Sequence, residues 1–418
     1  MAAGEPDVER WLSSGGLLHV PARGVLGWTP DDGIATFLDL FSPCNACCLL
    51  RVLCGGSFDV CIMDDLLFRV SALLLARGFG VPSVATTHTD VEGHSGYRNI
   101  FLVRLTWYFH IASAHFATVH ATVSRVFAEL LRTRYSVPVH AVWPPVLWST
   151  EFLRPAMDFE GQAARERARW AAYLGYEPRA FLLHAGRWSP EKRIHLLAEA
   201  VPEGCALVIV GDGDADYADD VEAARRRDVL PLRRMLGAEE LRVAYAACDL
   251  FVSASRFETL GNVVVEALSA GTPVAVQPAQ GLLELVEDRR NSYFVDFDEP
   301  KAARLRLAEI VEAGPAAAVQ PALGELSARL RTLDFPQRLH AALLRPALAA
   351  ATARRRWRWR RWLLEPLLRA ACLAAWLLLW LWLAACTRVI YTCSSEPRFR
   401  FLAPGSAVET DRGAAARP

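Results

Sequence analysis

The first part of the chain alternates short apolar runs with longer helical patterns. Residues 58–63 and 81–87 are apolar runs of strand length, and residues 66–77 between them follow a helical pattern. Strand, helix and strand in this order are typical of a βαβ unit, whose two strands lie parallel in one sheet. The pattern therefore predicts a parallel sheet with His88 just beyond the carboxyl end of a strand, where open α/β sheets place ligands. Further along, the pattern predicts a helix at 101–116, a strand at 117–124 ending at Ser124, and a helix at 125–134.

The same alternation continues from about Tyr176 into the second half of the chain. Strands are predicted at 179–185, 205–210 and 248–254, and helices from Arg193, after Gly213, at 239–247 and at 262–270. Within the last helix, the β-branched residues 263–265 locally favour a strand instead. We therefore predict an α/β protein with two Rossmann-like parallel-sheet domains, over residues 1–152 and 153–350.

Length and composition limit the classes of protein that the chain can form. A chain of 418 residues is long enough for two domains that each bury a core of their own. The net charge is zero, so no overall positive field favours nucleic acid as a partner. Ten cysteines without an N-terminal signal peptide indicate a reducing compartment. One segment is rich in cysteine and contains Cys44, Cys47, Cys48, Cys54 and Cys61. We favour buried thiols for these residues, and a zinc site is the alternative.

The C-terminal tail has a composition of its own. Residues 351–362 contain six arginines and three tryptophans, and residues 367–386 carry one charge, Arg369. Twenty apolar residues are enough to cross a hydrocarbon core of about 30 Å as a helix. We predict a single-pass membrane helix within 351–386 and a disordered tail at 387–418. The arginines precede the helix, and positively charged residues flank membrane helices on the cytosolic side. We therefore expect the folded domains on the cytosolic or plastid stromal side. The alternative is a helix in the membrane plane, held by the arginines on anionic lipid.

Two glutamates stand on either side of a glycine in the segment 255–273. Glu258 follows the predicted strand at 248–254, and Glu266 lies about one turn into the next helix. The N-terminus of that helix directs N–H groups and the positive end of its dipole at the loop, which suits a phosphate group. The segment thus offers backbone donors for an anion and two carboxylates that accept from sugar hydroxyls. Two solvated surface glutamates are the alternative interpretation.

A second candidate loop follows the predicted strand at 179–185. It carries Gly186, Arg187 and Lys192 immediately before the next helix. Two cations on a glycine-containing loop that faces a helix N-terminus can neutralise a diphosphate leaving group. Two solvated surface cations are the alternative here.

The segment 255–273 resembles the E-x7-E signature of the family 4 retaining glycosyltransferases. It is most similar to the branch of sulfoquinovosyl-diacylglycerol synthases and lipid glucosyl- and mannosyltransferases. The resemblance implies the GT-B fold, in which two Rossmann-like domains face a cleft, and a nucleotide-sugar donor. It also implies that Glu258 binds donor-sugar hydroxyls and that Glu266 binds the nucleotide ribose. Residues 186–192 match the family's G-R-x-x-x-E-K motif, which implies that Arg187 and Lys192 contact the donor diphosphate.

Residues 87–97 resemble the H-T-D/H…Y loop of the same branch. This likeness implies that His88 contacts the donor sugar or the reacting phosphate oxygen. It also implies that the acceptor side is shaped by Thr89, Asp90 and Tyr97. The other donor-binding positions that the resemblance implies are Gly186, Gly211, Thr259, Leu260 and Gly261.

The chain departs from the family pattern in three places. Val146 and Trp148 stand where Gly and Asp are expected, residues 279–281 keep one of the two glycines of an A-G-G turn, and no clear Gly-Gly loop follows the first strand. A D-x-D metal site of the other glycosyltransferase fold could also be suspected at Asp212, Asp214 and Asp216. We expect Arg, Lys and a helix dipole to stabilise the leaving group instead, with no metal and no other cofactor.

The motifs together predict a membrane-anchored retaining glycosyltransferase that moves a hexose from a nucleotide diphosphate sugar to a membrane lipid. The predicted catalytic residues are His88, Arg187, Lys192 and Glu258. The predicted partners are the nucleotide sugar, the lipid acceptor and the membrane. Two alternatives stay open. One is a catalytically decayed nucleotide-sugar-binding scaffold, which the departures favour, and the other is a glycosyltransferase with a soluble acceptor.

Overall fold

The computed structural model of the protein describes residues 50, 53–54, 58–63, 69–90, 107–108, 110–142, 149–223, 227–331, 340–356, 366–378 and 381. The strands are β1 (Cys61–Met63), β2 (Ser83–Thr87), β3 (Val119–Thr122), β4 (Ala141–Val142), β5 (Ala180–Ala185), β6 (Cys205–Gly211), β7 (Val229–Arg233), β8 (Leu250–Ser253), β9 (Val274–Val276) and β10 (Tyr293–Phe294). The α-helices are α1 (Arg69–Gly78), α2 (Arg125–Tyr135), α3 (Glu160–Leu174), α4 (Ile194–Glu199), α5 (Ala215–Ala223), α6 (Ala238–Ala247), α7 (Asn262–Ser269), α8 (Pro300–Glu312), α9 (Gln320–Arg331) and α10 (Arg345–Arg356). Residues 366–378 are also helical. The 3-10 turns are Ser113–Phe116, Thr150–Leu153, Ala156–Phe159, Pro190–Lys192 and Gln280–Glu284, and a π-helical turn covers His340–Leu344.

The described residues belong to two compact units. One contains those within 1–61, 66–81 and 357–418, and the other contains those within 62–65 and 82–356. The predicted domain boundary at residue 152 falls between β4 and β5, which belong to different sheets. Each sheet therefore lies on its own side of that boundary.

In the first unit, the helix at 366–378 packs against α1. Its Trp376 is 8% exposed and joins Leu74 and Leu75 of α1 in a small apolar cluster. The packing is close, because a Cβ at Gly78 would lie 2.5 Å from a methyl carbon of Leu373. The absence of a side chain at Gly78 thus lets the two helices approach each other at this point.

Among the residues that the structure describes, no helix is long and apolar enough to cross a membrane. The predicted span at 367–386 is described only at 367–378 and 381, and the tail at 387–418 lies outside the described residues. Val146, Trp148 and the region of the first predicted strand also lie outside them.

The first sheet has four strands in the order β1-β2-β3-β4. β2 and β3 pair in parallel with Thr87 opposite Thr122, as the alternating pattern predicts. His88 directly follows Thr87, so its predicted place beyond the carboxyl end of a strand is confirmed. The strand expected to end at Ser124 ends at Thr122 instead. Ser124 caps α2, because its hydroxyl accepts from the backbone N–H of Phe127 at 3.2 Å.

The second sheet has six strands in the order β10-β9-β8-β5-β6-β7. All of its strand pairs are parallel. The chain starts at the centre with β5, builds outward to β7, and then crosses to the other side of β5 to form β8. The sheet is therefore doubly wound, with its topological switch point between β5 and β8. Every residue of β5 and β6 is buried, since helices cover both faces of such a sheet.

Of the predicted helices, the one at 262–270 is confirmed and two others differ at their ends or in their type. The predicted helix at 262–270 forms as α7 despite its β-branched residues, because Val264 and Val265 are each 1% exposed in the hydrophobic core. The helix predicted from Arg193 begins at Ile194, since Arg193 takes a left-handed φ of 54°. Arg193 Nη1 donates to the carbonyl of Ala254 at 3.2 Å, which ties the loop after β5 to the loop after β8. In the predicted helix at 101–116, the described part ends in a 3-10 turn, Ser113–Phe116.

Candidate functional site

A cavity of about 240 Å³ lies at the switch point of the second sheet. Its walls come from the loop after β5, the loop after β8 and the first turn of α7. They include His184, Gly186, Arg187, Lys192, Glu258 and Asn262. Ligands of doubly wound sheets bind in this position, outside the carboxyl ends of the strands where the strand order reverses. The structure therefore brings together the two loops that the sequence analysis selected separately.

An ion pair between Lys192 and Glu258 crosses the cavity. Lys192 Nζ donates to Glu258 Oε1 at 2.6 Å, and the two side chains are only 20% and 12% exposed. Arg187 lies at the rim, 58% exposed, and its Nη2 donates to Glu191 Oε1 at 2.9 Å. The site thus holds two cations suited to phosphate oxygens and one carboxylate suited to hydroxyl groups.

Close packing of backbone against backbone holds the loop that carries Lys192. Trp188 is 1% exposed, its N–H donates to the Asp212 carbonyl at 3.0 Å, and its indole N–H donates to the Gly211 carbonyl at 3.1 Å. A Cβ at Gly211 would lie 1.9 Å from the carbonyl oxygen of Gly186. Gly211 therefore acts by letting the two loops approach each other, and it does not line the cavity.

The aspartates after β6 have structural roles in the fold. Asp212 Oδ1 accepts from the Gly213 N–H at 2.8 Å, and Asp214 Oδ1 accepts from the Tyr217 N–H at 3.0 Å at the start of α5. Asp216 lies in the first turn of that helix and is exposed. Within the described residues, no group of three or more His, Cys, Asp or Glu side chains could hold a metal ion. Cys54 and Cys61 are free thiols, and the other three cysteines of the segment lie outside the described residues.

Gly281 fixes the loop that carries Glu258. Its N–H donates to the Glu258 carbonyl at 2.9 Å, and a Cβ at this position would lie 1.9 Å from the Thr259 carbonyl oxygen. Leu260 is 8% exposed and belongs to the core, while Gly261 caps α7 with a left-handed φ of 79°. Asn262 and Val263, the first two residues of α7, line the cavity, while the N–H groups of Val264 and Val265 donate to the Gly261 carbonyl at 2.9 and 3.1 Å.

The structure separates the two glutamates of the sequence signature. Glu258 lines the cavity, whereas Glu266 is 4% exposed and accepts from the Tyr245 hydroxyl at 2.9 Å. Burial and the neighbouring Glu266 carboxylate raise the pKa of Tyr245 well above its usual value, so the hydroxyl stays a donor. Glu266, in α7, is therefore held in a buried contact with Tyr245 of α6, and its ribose role stays a prediction.

His184 is a cavity residue that the sequence analysis missed. It is the fifth residue of β5 and 1% exposed, and its Nδ1 lies 2.9 Å from the carbonyl oxygen of Val252. Burial, opposed by the contact with Val252 and reinforced by the charge of Lys192, lowers the pKa of His184 to about 4. Its position two residues before Gly186, at the carboxyl end of a buried strand, is the signal that could have found it.

The predicted acceptor-side residues follow β2 in the first sheet. His88 is half-buried, Thr89 is exposed and Asp90 is buried. Tyr97 lies outside the described residues. These residues do not line the cavity at the switch point, and their roles stay predictions.

The protein has two parallel sheets, and the second carries a cation and a carboxylate at its switch point. These features define its class as a GT-B type α/β protein. Residues 179–312 match the family described as "Glycosyl transferases group 1". The matched segment contains the strands β5 to β10 and both loops that line the cavity. The fold agrees with the crystal structure of Anabaena Alr3699/HepE in complex with UDP and glucose, with a TM-score of 0.55 and 18% identity over 68% of this chain and 78% of that chain.

Two curated relatives extend the similarity beyond the matched domain. The chain is 30% identical over 259 residues to the GDP-mannose-dependent alpha-mannosyltransferase of Mycobacterium tuberculosis (strain CDC 1551 / Oshkosh), which covers 60% of this chain and 64% of the relative. It is 29% identical over 222 residues to the sulfoquinovosyl transferase SQD2 of Arabidopsis thaliana, which covers 52% of this chain and 42% of the relative. The chain therefore spans less than two thirds of the length of either relative.

Replacing Gly281 by Ala is expected to displace the loop that carries Glu258. The new Cβ would meet the Thr259 carbonyl oxygen at 1.9 Å, so backbone must move. We expect Gly281→Ala to lower the affinity for a nucleotide sugar about tenfold or more, measured by calorimetry. The matched control is Gly324→Ala in α9, where a Cβ meets no atom within 4 Å. Equal affinities in the two variants would show that the loop does not depend on this close approach.

His184 is expected to make the protein less stable in acid. Its folded pKa of about 4 lies below the value of 6.5 for an unperturbed histidine, so between these pH values the unfolded chain binds a proton that the folded protein does not. Stability is therefore lost as the pH falls from 6.5 toward 4. We expect His184→Phe to remove about 2 kcal/mol of the fall in unfolding free energy between pH 8 and pH 5. The measurement is urea unfolding of the parent and of His184→Phe at pH 8 and pH 5. An equal fall in unfolding free energy in the two proteins would contradict a lowered pKa of His184.

Proposed function

We propose that the protein is a retaining glycosyltransferase that moves a hexose from a nucleotide diphosphate sugar to a membrane lipid, in the branch of lipid glucosyl-, mannosyl- and sulfoquinovosyltransferases. The observation that carries the proposal is the Lys192–Glu258 ion pair at the switch point of a group 1 glycosyltransferase domain. A nucleotide sugar has a diphosphate directly bonded to a hydroxyl-rich ring. It therefore matches a cation and a carboxylate that lie side by side.

In the proposed reaction, Lys192 and Arg187 stabilise the diphosphate as it leaves. The bond between the anomeric carbon and the phosphate oxygen breaks through an oxocarbenium-like state, and the N-terminus of α7 adds positive potential where charge develops. Glu258 accepts hydrogen bonds from sugar hydroxyls and orients the ring. The acceptor hydroxyl oxygen bonds to the anomeric carbon on the same face, and its proton passes to the departing phosphate oxygen. His88 is proposed to hold the sugar from the first domain.

The choice of a lipid acceptor rests on the C-terminal helix and on the SQD2 likeness. While Leu373 and Trp376 pack on α1, other leucines of the segment face outward. Leu367 is 67% exposed, Leu378 is 68% exposed and Leu381 is 51% exposed. Six arginines precede this helix in the sequence. An apolar helix face next to a basic segment fits an anionic membrane surface, so we propose attachment there with the catalytic domains on the cytosolic or plastid stromal side.

Lys192→Ala is expected to lower turnover about 100-fold or more, because the departing diphosphate loses its buried cation. The control is Lys301→Ala, which changes the other lysine of the chain, an exposed residue at the start of α8. The measurement is nucleotide release and lipid glycosylation by the full chain in detergent, over a panel of UDP- and GDP-sugars, with the anomeric configuration of the product read by NMR. Unchanged turnover in Lys192→Ala would contradict the proposed role. Nucleotide binding without release from any donor would contradict catalysis and favour the scaffold.

Leu378→Glu is expected to weaken membrane binding several-fold, because it places a charge on the apolar face of the helix. Leu305→Glu on α8 is the matched control, since both leucines are 68% exposed. Co-sedimentation of the full chain with vesicles that contain anionic phospholipid measures the effect. Equal binding of the two variants, or no binding by the parent, would contradict attachment through this face.

A further inference from the structure

The cavity contains a buried polar atom that the proposed chemistry does not use. In the described structure, His184 Nε2 has no hydrogen-bond partner, although the residue is 1% exposed. Buried polar atoms normally have partners, and an exception at a cavity wall calls for an explanation. We propose that His184 is a donor-positioning residue whose Nε2 accepts a hydrogen bond from a hydroxyl group of the bound nucleotide sugar. This inference rests on the proposed function and names the group of the donor that this part of the cavity receives.

The surroundings of the ring decide which nitrogen carries the proton. His184 Nδ1 lies 2.9 Å from the carbonyl oxygen of Val252, which can only accept. Nδ1 therefore carries the proton and donates, and Nε2 of the neutral ring keeps its lone pair. The ring also stacks on Phe251 with an interplanar angle of 20°. Both contacts fix the ring of His184 in the wall of the cavity.

Gly186 lies beside this nitrogen, which is itself buried. A Cβ at Gly186 would lie 3.2 Å from Nε2 and would therefore cover it. Because Gly186 has no side chain, Nε2 and the backbone of the loop share one wall of the cavity, which His184, Gly186 and Lys192 all line. The glycine thus keeps the side of Nε2 that it faces free of side-chain atoms, and it also allows the approach of the loop to Gly211.

The chemistry of a neutral acceptor selects the group that meets it. A diphosphate offers only acceptor oxygens, so it cannot satisfy a nitrogen lone pair. Protonation of the ring would let it bind phosphate, but burial and the charge of Lys192 oppose a further cation here. The matching group is an O–H, which a nucleotide sugar carries on its hexose and on its ribose. His184 and Glu258 are both acceptors, and so they bind different hydroxyls of the donor.

The test compares three classes of probe on the full-length protein. Calorimetry measures the affinity of inorganic pyrophosphate, of UDP and GDP, and of UDP-glucose and GDP-mannose for the parent and for His184→Phe, which keeps a planar ring without the acceptor. We expect His184→Phe to lose about tenfold in nucleotide-sugar affinity with pyrophosphate binding unchanged. An equal loss for UDP or GDP assigns the hydroxyl to the ribose, and a loss confined to the nucleotide sugars assigns it to the hexose. His184→Gln, which offers an amide oxygen, is expected to recover part of the loss.

The matched control is His195→Phe, which changes a histidine of α4 that is exposed and contacts Tyr217. Unchanged nucleotide-sugar affinity in His184→Phe, or an equal loss of pyrophosphate affinity, would overturn the proposal. A parent that binds no nucleotide sugar would instead contradict the proposed function itself.

A measurement on the unaltered protein removes any dependence on how the variants fold. The ¹⁵N resonances of the His184 ring are expected to show an unprotonated Nε2 at pH 7, which moves toward the hydrogen-bonded range when the nucleotide sugar saturates the site. Its resonance is recognised because the ring stays neutral in mild acid, where exposed histidines are protonated. A protonated Nε2 at pH 7, or a resonance that does not move in the saturated complex, would overturn the proposal.

Discussion

The ion pair between Lys192 and Glu258 joins the loops that follow β5 and β8, and the arrangement of the cavity depends on it. Both side chains have lost most of their exposure to water, at 20% and 12%. A pair of this kind contributes little net stability, because the loss of hydration offsets much of the attraction. The importance of the ion pair is that a single ligand can take the place of both partners when it binds. Phosphate oxygens can replace the carboxylate around Lys192, and hydroxyls can replace the ammonium around Glu258.

Two glycines outside the cavity make this pair possible. Gly211 lets its own loop approach the carbonyl of Gly186, and Gly281 lets its turn approach the carbonyl of Thr259. In both places a Cβ would occupy the position of backbone atoms, so the loops would have to separate. The two charged side chains are thus positioned by backbone packing behind them, which is the rigid support that a binding site needs.

Buried polar groups divide into two kinds in this domain. Glu266 is buried but accepts from Tyr245, and Asp249 accepts from the N–H of Phe181 and from Arg167. These groups are satisfied within the protein and hold its elements together. In the described structure, His184 Nε2 has no such partner, and His184 lines the cavity. Glu266 has a partner within the protein and is therefore structural, whereas His184 Nε2 has none in the described structure and is the acceptor that we propose for a ligand.

The sequence by itself determined the parallel strands, the helix after Glu258 and the two loops with Arg187, Lys192 and Glu258, because apolar periodicity and glycine positions are local signals. Only the tertiary structure decided the rest. It set Glu266 against Tyr245 and placed His184 in the wall of the cavity. Each of these outcomes depends on contacts between residues that are distant along the chain. Such contacts are absent from any single stretch of sequence, since strand order and burial arise only when the sheet assembles.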